Sequence, residues 1–233
     1  MEQRDAPEFT IEAFADPNSV RDVVRAILHS IFFLRYFPAI TPKSRDFLGI
    51  EVSYVPDDQI ETLIDQRATA LARQLDAERQ QLPRNTNSSY NSGGRGQITV
   101  QFLEKRRKKS SWLSIRGGDD EIPWESWTIK VTVSEPRTEG ERIKVRKATE
   151  STLASSIMKV ITLANTHKDH IPPITTQNSN PFPYQIYVGV SRSQSQQSQQ
   201  QQQQSAQQQK DTGTTTQALT SAAGGWASRM GIY

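Results

Sequence analysis

The sequence predicts an α/β protein of the α+β kind: three main helices packed on a mainly antiparallel β-sheet, with a polar C-terminal tail. Apolar residues concentrate in 9–82, 98–133 and 143–190 and almost vanish from 191–217. Stretches with apolar residues at helical spacing alternate with stretches in which they recur every second residue. Two of the latter, 98–103 and 127–133, follow one another with no helix between them, which favours antiparallel pairing over a crossover. One core of about 150 residues accounts for this distribution better than two small ones.

The elements follow in order. Phe9, Ile11 and Ala13 alternate with Thr10 and Glu12 as in a strand. Pro17 and Ser19 then open a first helix, with Ser19 and Asp22 spaced for a capping box. Val20, Val23, Val24, Ile27, Leu28 and Ile31, widened by Phe32 and Phe33, give it an apolar surface broad enough to be enclosed on more than one side. Leu48, Ile50, Val52 and Tyr54 have strand spacing, and Asp58 with Glu61 repeats the capping pattern. Ile60, Ile64, Leu71 and Leu75 form the stripe of a second helix that ends near Leu82, before Pro83. A connector rich in Asn, Ser and Gly (83–96) precedes the strand of Ile98, Val100 and Phe102. After a loop from Glu104 to Glu125 comes the strand of Trp127, Ile129, Val131 and Val133, with Trp124 and Trp127 packed inside. Thr138 and Glu141 cap a third helix reaching about Lys168, with Ile143, Leu153, Ile157, Val160, Ile161 and Ala164 as its stripe. Tyr184, Ile186, Val188 and Val190 close the fold as a last strand. The tail at 194–209 holds twelve glutamines and too little apolar area to offset the entropy of ordering it.

Composition narrows the function. No stretch approaches the roughly 20 apolar residues of a membrane-spanning helix. No basic stretch leads into an apolar run as a secretory signal requires. The absence of cysteine excludes disulfides, thiolate metal sites and cysteine nucleophiles. A net charge of +3 is too small a bias for a dedicated nucleic-acid binder.

Nor does any motif carry catalysis. His29 reads as a packed helix residue, and His167 with His170 as structural imidazoles near a helix end, where the dipole favours them. They lack the surroundings of a zinc site. Gly93-Gly94-Arg95-Gly96 runs into a strand, so no helix N-terminus is offered to a phosphate, and Gly117-Gly118-Asp119-Asp120 lacks the spacing of a calcium loop. The chain therefore reads as a non-enzyme without a cofactor.

The most unusual stretch is the 104–121 loop. Lys105, Arg106, Arg107, Lys108 and Lys109 form a basic patch suited to acidic protein, anionic lipid or phosphate, or to a solvated loop that discourages edge pairing. Aromatic residues are not interleaved with it, as single-stranded nucleic acid would require. Trp112, with Leu113 and Ile115, either folds back onto the core or projects as a binding anchor.

Gly96-Gln97-Ile98-Thr99-Val100-Gln101-Phe102, the basic run, Trp112, and then Ile122-Pro123-Trp124-Glu125-Ser126-Trp127-Thr128 resemble the autophagy-related protein 101 family. The third helix, Ile171-Pro172-Pro173-Ile174 and the last strand resemble it too, so that the likeness spans roughly 9–190. It implies a HORMA domain at 1–190, while composition sets flexible loops at 83–97 and 104–121, a Gln/Ser-rich low-complexity segment at 191–217 that departs from the family, and a C-terminal docking segment at 218–233. It also implies a non-catalytic adaptor of the autophagy-initiating serine/threonine kinase complex, cytoplasmic and recruited to the preautophagosomal structure. The implied partner is the HORMA domain of autophagy-related protein 13, bound as a heterodimer through the exposed side of the third helix, with Arg142, Lys147 and Lys159 as dimerisation candidates. Trp112 falls on the family's Trp-Phe finger, which recruits downstream factors. Leu113 and Ser114 replace the pattern's proline and phenylalanine, leaving Leu113 or Ile115 to supply the missing apolar contact. The glutamine tract and the Asn/Ser/Gly connector suit a filamentous-fungal member. A peripheral membrane or phosphoinositide-binding module, using loop 105–116, is the alternative.

Overall fold

A computed structural model describes residues 6–81, 94–107, 119–174 and 181–190, all within the first of two units, Met1–Val190. The order is β1 (Glu8–Ala15), α1 (Val20–Arg35), β2 (Lys43–Phe47), β3 (Ile50–Tyr54), α2 (Asp58–Gln81), β4 (Arg95–Arg107), β5 (Asp119–Val133), α3 (Glu139–Thr166) and β6 (Tyr184–Val190). The main sheet has the strand order β1-β5-β4-β6. The β4–β5 pair is antiparallel, as its short sequence separation favours, and β6, reached only after α3, also pairs antiparallel with β4. β1 pairs with β5 in parallel, so the sheet is mixed.

One face of this sheet is the core. Ile11, Ile98, Val100, Trp127, Ile129 and Ile186 come from four strands and are essentially sealed. On the opposite face Thr99 and Thr128 share a hydroxyl hydrogen bond of 2.9 Å. α1 is buried on nearly all sides, including Ala26, His29 and Ser30, because it packs against α2, α3 and β3. Each of its large apolar side chains contributes about 1.5–3 kcal/mol by leaving water.

Several local expectations change. Ser19 does not cap α1: its hydroxyl donates to Asp16, whose Oδ1 accepts the amides of Asn18 and Ser19 at 2.9 and 3.2 Å. At α2 the capping carboxylate is Asp57, not Asp58; its Oδ1 accepts from Gln59 N and Ile60 N at 2.9 and 3.1 Å, while Glu61 pairs with Arg45 instead. Leu48 is no strand residue. It and Gly49 have φ of 54° and 81°, forming the tight turn of a β2–β3 hairpin whose first strand the sequence pattern did not reveal.

Both ends of the expected loop from Glu104 to Glu125 are ladder, and 108–118 lie outside the described residues. β4 runs on to Arg107 and β5 begins at Asp119, with a bulge between Phe102 and Leu103. The 83–97 connector likewise ends early, since β4 starts at Arg95. Gly96 is needed there for close approach: a Cβ would lie 2.8 Å from Leu71 Cδ1. α3 keeps its predicted capping box, with Glu141 N donating to Thr138 Oγ1 at 3.2 Å. The amides of Arg137 and Thr138 hold the Glu141 carboxyl below its usual range. Its apolar stripe starts later than predicted, because Ile143 is 64% exposed while burial begins at Thr149.

α3 also seals one margin of the sheet. Ser156 Oγ donates to the Glu12 carbonyl at 2.9 Å, and Lys159 Nζ donates to the Thr10 carbonyl at 3.0 Å. Both are carbonyls of β1 that turn away from β5.

Candidate interaction surfaces and the buried ion network

The sequence pattern already holds an anomaly on the core face. Counting back by two from Trp127 puts Glu125 on the buried side of β5, and Glu125 is fully buried. A carboxylate there needs a cation and several donors. Arg35, the last residue of α1, supplies the cation: its Nε lies 2.8 and 2.9 Å from the two Glu125 oxygens. The rest of the guanidinium serves α3, donating to the Ala164 carbonyl from both terminal nitrogens at 3.2 Å and to the His167 carbonyl at 3.1 Å. One arginine thus neutralises a buried carboxylate and satisfies the C-terminal carbonyls of a neighbouring helix, where a cation also meets the negative end of the dipole.

Two more donors complete the carboxylate. The Trp127 indole N–H donates to Oε1, and His170 Nε2 lies 2.6 Å from Oε2. The network joins α1, β5, α3 and the segment after α3. His170 is therefore a structural partner of Glu125, while His167 bonds through Nδ1 to the Leu163 carbonyl and stacks beside Phe9. Sequence reasoning passed over both Arg35 and Glu125. An arginine closing an apolar helix and a glutamate on the buried phase of a strand were the available signals.

His29 is the opposite case, buried with neither ring nitrogen hydrogen-bonded. Burial, reinforced by the charges of Arg25 and Arg45, lowers its pKa to about 4. It is a neutral imidazole packed between Phe47 and Tyr54, as a helix-core reading requires.

The surface residues fall into two groups. Arg142 and Lys147 are exposed on α3, together with Ile143 and the 60%-exposed Met158; Arg142 pairs with Glu139 at 3.5 Å. Lys159 is exposed on the same helix but is tied to β1 through Thr10. In the β4–β5 arm, Lys105, Arg106 and Arg107 sit in register opposite Glu121, Asp120 and Asp119. Lys108, Lys109, Trp112, Leu113 and Ile115 lie outside the described residues. Among those described, no group of His, Asp or Glu is arranged to hold a metal ion, and no helix is long and apolar enough to cross a membrane.

A mixed sheet covered on one face by three helices, with its polar core network fully engaged in holding elements together, defines a binding scaffold of HORMA-like α+β fold. The sequence model described as autophagy-related protein 101 matches residues 12–178. The curated autophagy-related protein 101 of Arabidopsis thaliana is 27% identical over 185 residues, covering 72% of this chain and 78% of the relative. That of Schizosaccharomyces pombe is 26% identical over 182 residues (78% and 86%), and that of Homo sapiens 28% over 171 residues (72% and 76%). The chain belongs to the autophagy-related protein 101 family, whose members are non-catalytic adaptors of autophagy initiation. Plant, fungal and animal relatives match at nearly the same level, so the similarity does not single out a fungal member.

Proposed function

We propose that this chain is the subunit that binds and stabilises the HORMA domain of autophagy-related protein 13, and through it joins the autophagy-initiating serine/threonine kinase complex. The family match across 12–178 carries this reading. The outer side of α3 supports it as the dimerisation surface, since Ile143 and Met158 are large apolar side chains left in water on a helix that also presents Arg142 and Lys147. On this reading the chain acts in the cytoplasm and at the preautophagosomal structure, with Trp112, Leu113 and Ile115 as the recruiting element for downstream factors. Its glutamine tract and Asn/Ser/Gly connector fit a filamentous-fungal source.

Co-expression with the partner HORMA domain tests the proposal. A one-to-one complex with micromolar or tighter affinity is expected, and Met158→Asp is expected to weaken it at least tenfold. Failure of the wild-type chains to co-purify or titrate would overturn it. The membrane reading is less favoured, because three of the five basic residues at 105–109 face acidic residues across the ladder. Salt-sensitive liposome flotation that is lost in Trp112→Ala would reinstate it.

A further inference from the structure

β1 and β6 are the two ends of the main sheet, and they are built differently. β1 carries Glu8 and Glu12, and two of its outward carbonyls are taken by Ser156 and Lys159. β6 has neither protection. Its seven residues, Tyr184–Val190, include no charge and no proline, and among the described residues it has a strand neighbour on one side only. An uncharged edge rich in aromatic and β-branched residues is a template for a further strand. Its outward backbone groups can be named. Leu103 N donates to the Pro183 carbonyl at 2.8 Å, which fixes the alternation of the β4–β6 ladder. Gln185, Tyr187 and Gly189 therefore bond to β4, while Ile186 and Val188 turn their N–H and C=O groups away from it. The side chains alternate as well. Ile186 is buried in the core, whereas Gln185 and Tyr187 stand on the outer face, Tyr187 being 49% exposed.

The order of residues along β6 defines what fits beside it. Consider a second β6 laid antiparallel about a two-fold axis at Tyr187, the middle residue of the strand. The outward N–H of Ile186 then meets the Val188 carbonyl of the other copy, and that of Val188 meets its Ile186 carbonyl. On the outer face each Tyr187 lies opposite its twin and each Gln185 opposite Gly189, where the missing side chain leaves room for the longer one. On the core face Ile186 meets Val188. At a two-fold axis a residue faces its own kind, so any charge near the centre repels itself, and β6 carries none. We propose that β6 is a self-pairing edge, through which two copies of this chain join their main sheets into one continuous sheet. Pairing along so short a strand makes a small interface, so the dimer is weak, with a Kd of about 10–100 μM. The edge lies at the far end of the sheet order from β1, which α3 covers, so the proposal does not depend on the reading of α3 as a dimerisation surface.

Sedimentation equilibrium of the full chain, with no partner added, provides the test. A monomer–dimer equilibrium is expected. Tyr187→Lys and Tyr187→Glu, each altering one exposed side chain, should weaken it about fivefold by setting like charges against each other at the axis. An equimolar mixture of the two variants should recover the wild-type association, because lysine then faces glutamate; recovery also shows that both variants fold. Met158→Asp, on α3, should leave the equilibrium unchanged. The proposal fails if the wild-type chain is still monomeric at about 1 mM. It fails too if the mixture associates no better than either variant alone, or if Met158→Asp abolishes the dimer, which would move the contact to α3. Hydrogen exchange on the wild-type chain needs no variant. The Ile186 and Val188 amides should exchange more slowly as protein concentration rises. Full protection of both in dilute solution would mean that the same chain already covers the edge, and would overturn the proposal.

Discussion

Arg35 and Glu125, 90 positions apart in the chain, form a two-pronged ion pair inside the core, with Nε at 2.8 and 2.9 Å from the two carboxylate oxygens. Desolvating both groups is expensive, so the pair holds its value only while both partners and their further hydrogen bonds are present. Arg35→Met and Glu125→Leu are each expected to lower stability by about 3–5 kcal/mol in urea unfolding. The Arg35→Met/Glu125→Leu double variant should lose clearly less than the two single losses combined, since it leaves no orphaned charge. Strictly additive losses would show that the two residues act separately.

His29 gives the fold an acid-sensitive term. Its pKa is about 4 in the folded chain, against 6.5 for an ordinary histidine, so between these values the unfolded chain binds the extra proton. Stability should therefore rise with pH from about 4 to 6.5, by up to about 3 kcal/mol from this residue alone. His29→Leu should flatten that part of the profile and stabilise the protein at the acid end. An unchanged slope in the variant would assign it to other groups.

The two adjacent carboxylates at the start of α2 can be told apart. Asp57→Ala should cost about 1 kcal/mol, because it leaves the amides of Gln59 and Ile60 unpaired, whereas Asp58→Ala should cost a few tenths. Thermal unfolding of the pair of variants checks this, and equal shifts would argue against the assignment.

Glycine substitutions separate two kinds of requirement. Gly49→Ala should destabilise by about 1 kcal/mol through its positive φ of 81°, with open space around its Cβ. Gly96→Ala should cost about 1–3 kcal/mol by overpacking against Leu71 and Leu75. Only the second should be eased by shortening the neighbour with Leu71→Val.

The fold was legible wherever one periodicity ran uninterrupted. α1 and the 127–133 half of β5 could be read from their apolar positions alone, and the Thr138–Glu141 cap was found because both halves of the motif lie within four residues. What stayed hidden was relational. The Leu48-Gly49 turn looks like the start of a strand, because leucine rarely adopts positive φ. β2, with a single buried residue, Phe47, offers no alternation to detect. The ends of β4 and β5 carry charges that resemble loop until the register sets basic against acidic residues. The core network was the hardest to see, because nothing in either segment names Arg35 and Glu125 as partners. Resemblance in the 122–128 block identified the family without revealing that its glutamate is the hub of the interior.

The hydroxyl of Ser156 and the ammonium of Lys159 cover two outward carbonyls of β1, those of Glu12 and Thr10, leaving β6 at the other end of the sheet order. This makes the domain a one-way terminator. Among the described residues of the main sheet, a strand donated by another molecule can continue the ladder only beside β6, so two copies can be stitched together there at most once. Open-ended stacking, which needs an acceptor at both margins, is denied by two side chains of one helix.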